Sequence, residues 1–185
     1  MDPAAFQPFQ LPRRLFKSHN VRSLATHRSV YLVRQPGDAL VSFYHFHRLH
    51  DATRALAGER ADEFCLAMLD GWIRHVETAL RAVLERPQEV IIVAYEDLLA
   101  DGPAHLRRIA DLFGINATDA MLADALERNA FKTLQTKEQP AAGASGERFY
   151  RKGRSGTAAE ELSSETVSRI ASAAGPVYER ARSAR

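Results

Sequence analysis

The chain has 185 residues, 45% apolar and 26% charged, which suits one domain with a real core and leaves too little length for two full domains. Its 25 lysines and arginines against 23 acids give a net charge of +2, so nothing in the overall balance argues for nucleic acid or an anionic membrane. A single cysteine, Cys65, excludes an internal disulfide framework and a cysteine-rich zinc site and fits a reducing cytoplasm, and no apolar run approaches the ~20 residues that span a bilayer.

Pro3, Pro8 and Pro12 mark residues 1–12 as an irregular arm ahead of one domain over 13–185, and this start does not read as a secretory signal. Arg13 to His19 reads as a strand end. Val30-Tyr31-Leu32-Val33 is apolar and β-branched, is stopped by Pro36-Gly37, and predicts a buried strand. A helix is predicted from Asp38, its N-cap, with Leu40, Val41, Tyr44 and Phe46 apolar. Over 61–86, Phe64, Met68, Trp72, Val76, Ala79 and Val83 recur at helical steps and define one buried face, ended by Pro87.

Val90 to Tyr95 is a second continuous apolar run. Runs apolar on both faces suit parallel strands covered by helices on either side. Residues 103–113 predict a helix between Pro103 and Gly114, and 118–134 predict another. Residues 139–158, rich in Gly, Ala, Ser and Arg, read as a loop, and 163–182 as a closing helix capped by Ser163 or Ser164. The order strand, helix, helix, strand, helix is α/β. Ligands of such sheets bind beyond the carboxyl ends of the strands, which singles out Arg34 and the residues just after it, and Tyr95-Glu96-Asp97.

Several groups there could carry chemistry. Lys17 and His19 stand two apart, on one face if the segment is extended; a neutral imidazole can take a hydroxyl proton and a lysine can offset charge on a transferring anion. Taken alone the pair reads as a surface lysine and a surface histidine rather than as a catalytic pair. Arg34 can grip a phosphate with its fork and Ser42 can add a donor, although by spacing alone they are a strand-end arginine and a helix serine. Arg148, Arg151, Lys152 and Arg154, loosened by Gly153 and Gly156 and interleaved with Phe149 and Tyr150, can close over an anion. The same cluster could be a solvated loop or a weak single-strand nucleic-acid patch.

Tyr95 can stack on a ring while Glu96 and Asp97 fix a loop. Trp72 reads as core, with His75 one turn on. His45, His47 and His50 lack the spacing of a metal site. A nucleotide kinase would need G-x-x-x-x-G-K-[ST], which is absent.

Together these pieces resemble the cytosolic-type sulfotransferase family, which uses the sulfate donor PAPS (3′-phosphoadenosine 5′-phosphosulfate). Leu15-Phe16-Lys17-Ser18-His19 is similar to its K-T-H segment. VYLVRQPGDALVSFYHF, from Val30 to Phe46, is similar to R-x-P-x-D-x-x-x-S-x-Y-H-F. Tyr95-Glu96-Asp97-Leu98 matches Y-E-D-L, and FYRKG, from Phe149 to Gly153, matches the late R-K-G loop. The similarity covers roughly residues 12–170, and four ordered segments make it specific.

The resemblance implies a P-loop-NTPase-like parallel sheet flanked by helices. It implies that His19 is the general base on the acceptor and that Lys17 stabilises the sulfuryl group. Arg34 and Ser42 would hold the donor's 3′-phosphate with Arg151, Lys152 and the Gly153 backbone, while Tyr95 and Phe131 would meet the adenine. It implies PAPS as co-substrate, no metal, a small-molecule hydroxyl or amine as acceptor, no nucleic-acid or membrane partner, and a cytoplasmic location.

The sequence departs from the family in three places. The P-K-S-G-T-T-W-type loop for the 5′-phosphosulfate is absent, Ala158 stands where a tryptophan usually follows the R-K-G loop, and the C-terminal dimerisation segment is not recognisable. A missing N-terminal strand and phosphate loop imply a truncated chain, half of a split enzyme, or a non-catalytic sulfotransferase-like module. Each leaves an exposed sheet edge for self-association or a partner chain.

Overall fold

Two five-residue strands set the frame. In the computed structural model, which describes residues 15–138 and 153–184, β1 (Ser29–Val33) and β2 (Val90–Ala94) pair in parallel, from Ser29 opposite Val90 to Val33 opposite Ala94. β2 meets the expectation for a strand covered on both faces, since all five residues are buried. β1 does not. Only Val33 is buried, and Leu32 is 62% exposed, so no described element covers that side chain. Among the described residues each strand has a single partner.

After β1 comes α1 (Pro36–Leu49), then α2 (Asp51–Ala57), which ends at Gly58. The predicted cap of α1 is displaced by three residues. Gln35 is the N-cap, its side chain accepting the Asp38 N–H at 3.0 Å, because Pro36 is preset for the first helical position. The long helix α3 (Ala61–Glu85) forms as expected, with Arg86 and Pro87 beyond it. Its buried stripe runs through Phe64, Cys65, Leu69, Val76, Ala79 and Val83, while Met68 is 37% exposed at the stripe's border. Burial pushes the Cys65 thiol up to about 12, so it packs as an unreactive apolar side chain.

β2 runs directly into α4 (Tyr95–Ala100), followed by α5 (Gly102–Phe113), which Gly114 closes in the left-handed conformation at φ 65°. The helix predicted over 118–134 is two, α6 (Asp119–Arg128) and α7 (Phe131–Lys137). The Asn129 side chain bonds back to the Ala125 carbonyl at 2.8 Å and Ala130 turns extended, so Phe131 opens a new axis.

The last helix, α8 (Ser164–Ser183), is capped by Ser163, as predicted. α1, α3 and α8 enclose one apolar cluster; α3, α8 and the strands enclose a second, and Trp72 packs against both.

Asp38 fastens the segment before α8 to the start of α1. It is 1% exposed. Its carboxylate accepts the Gly156 N–H at 2.7 Å, the Ala158 N–H at 2.9 Å and the Thr157 hydroxyl at 3.3 Å, and Arg34 lies 3.6 Å away. A buried carboxylate is tolerated only with its lone pairs filled, and here the returning backbone fills them. A second link joins α3 to α8: Asp62 accepts the Ser163 N–H at 2.9 Å and the Ser163 hydroxyl at 2.8 Å. The Thr166 hydroxyl, then the Ser163 donors, hold the Asp62 carboxyl below the usual carboxylate range.

Both carboxylates lend themselves to stability measurements. Asp38→Ala removes the acceptor of two backbone N–H groups and the counter-charge of Arg34, and should lower the unfolding free energy by about 3–5 kcal/mol in urea titration. A loss below about 1 kcal/mol would show that the 156–158 segment is held by other contacts. For Asp62 the folded pKa lies below the unfolded value of about 3.9, so its contribution is present above that value and lost as pH falls through the folded one. The stability gap between the parent and Asp62→Asn should therefore be open at pH 6 and close below about pH 4.

Candidate functional site

The register of the strands decides what faces the ligand end of the sheet. Val33 and Ala94 are the last paired residues, so the next on each strand, Arg34 and Tyr95, emerge side by side. The Arg34 guanidinium carbon lies 4.9 Å from the Tyr95 ring centroid. A cleft of about 290 Å³ opens there, near the lower end for small-molecule pockets. Its walls include Arg34, Ser42 and His45 from β1 and α1, Tyr95 at the head of α4, Phe131 at the head of α7, and Gly153.

One terminal nitrogen of Arg34 donates to the Arg154 carbonyl at 3.2 Å, and Asp38 lies behind it. Its Nε is buried with no hydrogen-bond partner among the described residues. Such an orphaned charged donor fits an anionic acceptor arriving from the cleft.

Gly153 is matched to its place by shape. It sits at φ 61°, and a Cβ built on it would stand 2.2 Å from the Phe131 ring. The aromatic ring therefore lies directly on the glycine backbone, a closeness that other residues forbid.

Glu96 holds the cleft's rim. Its carboxylate accepts the Gln35 N–H at 3.1 Å, the Ser155 hydroxyl at 3.2 Å and the Tyr178 hydroxyl at 2.7 Å, joining the start of α1, the 153–158 segment and α8. Burial first, and then Glu96 itself, push the Tyr178 phenol above its ordinary pKa, so it stays a donor. Asp97 turns the other way and pairs with Arg182 of α8 at 2.6 Å. Of the two acids expected to fix a loop, Glu96 does so and Asp97 fixes a helix.

Of the residues singled out from sequence, Arg34, Ser42, Tyr95, Phe131 and Gly153 line this one cleft. Arg148, Phe149, Tyr150, Arg151 and Lys152 lie outside the described residues. Lys17 and His19 are exposed and are not among the residues lining the cleft. The strand end expected around them does not form over 15–20. Ser18 accepts the Asn20 N–H at 3.0 Å, and Asn20 caps a 3-10 turn at Val21–Ala25, local bonds that compete with extended pairing.

Motif reading does not single out His45 as a site residue, yet it lines the cleft and bonds Glu161 at 2.6 Å. Its position three after Ser42, on one helix face, is the signal that could have found it. Among the described residues no group of three His, Cys, Asp or Glu side chains could hold a metal ion, and no helix is long and apolar enough to cross a membrane.

Comparison with known proteins adds the lineage. The family model described as "Sulfotransferase domain" matches residues 6–180. Sulfotransferase 6B1 of Danio rerio is 29% identical over 128 residues, covering 66% of this chain and 42% of that protein. Cytosolic sulfotransferase 14 of Arabidopsis thaliana is 31% identical over 97 residues, covering 49% of this chain and 28% of that protein. The chain thus spans less than half the length of these relatives.

Among solved structures, mouse sulfotransferase SULT7A1 complexed with PAP aligns with TM-score 0.68 and 20% identity, over 82% of this chain and 58% of that one. Retinol dehydratase with retinol and PAP aligns with TM-score 0.68 and 23% identity, over 84% and 49%. At those identities the structures speak for the fold. With a family model matched across most of its length and a parallel sheet of the same architecture, this chain belongs to the sulfotransferase family.

Proposed function

We propose that the cleft takes the 3′-phosphoadenosine end of PAPS and that the protein transfers a sulfuryl group to a hydroxyl or amine of a small-molecule acceptor. One observation carries the reading: Arg34, Ser42, Tyr95, Phe131 and Gly153, drawn from four separate stretches of the chain, share one cleft. The groups fit the ligand. The orphaned Arg34 Nε and the Ser42 hydroxyl suit a phosphate, and Tyr95 with Phe131 suit a purine face. Solved relatives of the same fold are complexed with PAP, the donor's product.

PAPS supplies the sulfuryl group. The residues of the chain supply position and charge. Arg34 and Ser42, with Arg151 and Lys152, hold the 3′-phosphate and so orient the donor. His19 takes the acceptor's proton on its imidazole, and Lys17 offsets charge as the bridging bond breaks. Positioning and electrostatics of this kind supply most of the lowering of the barrier in transfers of anionic groups, and a placed base adds ~10²–10⁴-fold.

Calorimetric titration with PAP tests the donor half. The parent chain should bind, and Arg34→Ala should bind about tenfold or more weakly, since charge-assisted hydrogen bonds are the strong ones. Gly153→Ala should also weaken binding, because the new Cβ displaces Phe131. No binding by the parent, or equal affinity in Arg34→Ala, overturns the reading.

A transfer assay over phenols, alcohols and amino sugars tests the chemistry. Turnover should fall ~10²–10⁴-fold in His19→Ala. PAP binding without any transfer would assign the alternative, a non-catalytic binding module.

A further inference from the structure

The stretch from residue 15 to β1 is tied to the body of the protein at several points. Arg86, just past α3, donates to the Leu24 and His27 carbonyls, and Leu24 is buried in the core beside α3. Nearer the start, His75 of α3 stands between Tyr31 of β1 and the backbone of His19. Tyr31 Oη lies 2.7 Å from His75 Nδ1, and His75 Nε2 lies 3.2 Å from the His19 carbonyl oxygen. A carbonyl can only accept, so Nε2 carries a proton and donates. In the neutral ring Nδ1 is then the acceptor, and the Tyr31 hydroxyl donates to it. Burial raises the Tyr31 phenol above its ordinary pKa, which keeps that proton in place. The two rings lie 5.5 Å apart at 34°, so packing and hydrogen bond fix the imidazole together.

The consequence is geometric. Tyr31 lies within the strand paired to β2, and Arg34 is the residue that follows the last pair of that strand. The backbone of His19 is therefore referenced, through one side chain, to the strand that delivers Arg34 to the cleft. Among the described residues, the other hydrogen bonds at residues 18–20 are short-range: Ser18 accepts the Asn20 N–H, and Asn20 accepts from the next turn.

We propose that His75, held by Tyr31, is a positioning residue that fixes Lys17-Ser18-His19 relative to the Arg34 end of β1. The inference rests on the roles given above to His19 and Lys17. His75 acts through the His19 backbone and has no part in proton transfer.

The test uses the full chain and three variants. Glutamine places an amide nitrogen where Nε2 was; asparagine stops short of it. In His75→Asn, amide hydrogen exchange at Asn20, whose peptide unit contains the His19 carbonyl, should accelerate about tenfold or more, and in His75→Gln it should stay within about twofold of the parent. PAP affinity should move by less than about twofold in both, because the cleft is untouched. Unchanged exchange in folded His75→Asn overturns the proposal.

Should His75→Asn fail to fold, Tyr31→Phe removes only the hydroxyl that orients the ring, and unchanged exchange there overturns the proposal equally. In the transfer assay, kcat should fall by ~10–10²-fold in His75→Asn with the donor KM unchanged, as expected for a misplaced base. Equal losses in His75→Gln and His75→Asn would indicate a packing role and count against positioning. A parent chain that neither binds PAP nor transfers sulfate overturns the proposed function, whereas the exchange rates at Asn20 judge the tether by themselves.

Discussion

A carboxylate sealed from water must have its lone pairs filled by the protein, and Asp38 fills them with two backbone N–H groups and a threonine hydroxyl from 118 to 120 residues away. Much else depends on that contact. It brings the 153–158 segment onto the start of α1, which sets Gly153 against Phe131 and encloses the cleft. It also stands behind Arg34, offsetting part of its charge on the protein side while Nε remains without a partner among the described residues. A positive group backed in this way is ordered before any anion arrives, so less ordering is left to accompany binding.

The second determinant is the parallel pair itself. Parallel strands place their carboxyl ends at one edge, and in-step pairing places the residues just beyond them at one height. Arg34 and Tyr95 are neighbours for that reason alone, although 61 positions separate them. Glu96, the residue after Tyr95, then reaches across to the Gln35 N–H, so the two strand exits are joined by a hydrogen bond as well as by the sheet. The cleft is thus built from connections that leave the sheet, with helices α4 and α7 each contributing their first residue.

Much of this is readable from the residues because the signals are local and strong. The apolar runs at 30–33 and 90–94 mark both strands. The stripe from Phe64 to Val83 marks α3, and Ser163 marks the start of α8. The cleft residues are readable as ordered motifs. What escapes is long-range. Asp38 reads as a helix cap, since an acid beside Pro-Gly usually is one, and nothing local shows that its partners lie beyond position 155. Leu32 reads as buried because hydrophobicity says nothing about whether an element exists to cover it. The break at Asn129 and Ala130 turns on one side chain bonding its own backbone, within a pattern that stays helical in period. His75 reads as a helix residue because its two partners, Tyr31 and His19, come from other parts of the chain.

Trp72 offers a last consequence. It is the sole tryptophan of the chain, and it leans on both apolar clusters, the one under the sheet and the one between α1, α3 and α8. Its indole emission is thus a single optical probe sensitive to both packing layers. If the layers come apart in separate steps, the fluorescence midpoint and the loss of helical dichroism will not coincide; if they come apart together, one curve will describe both.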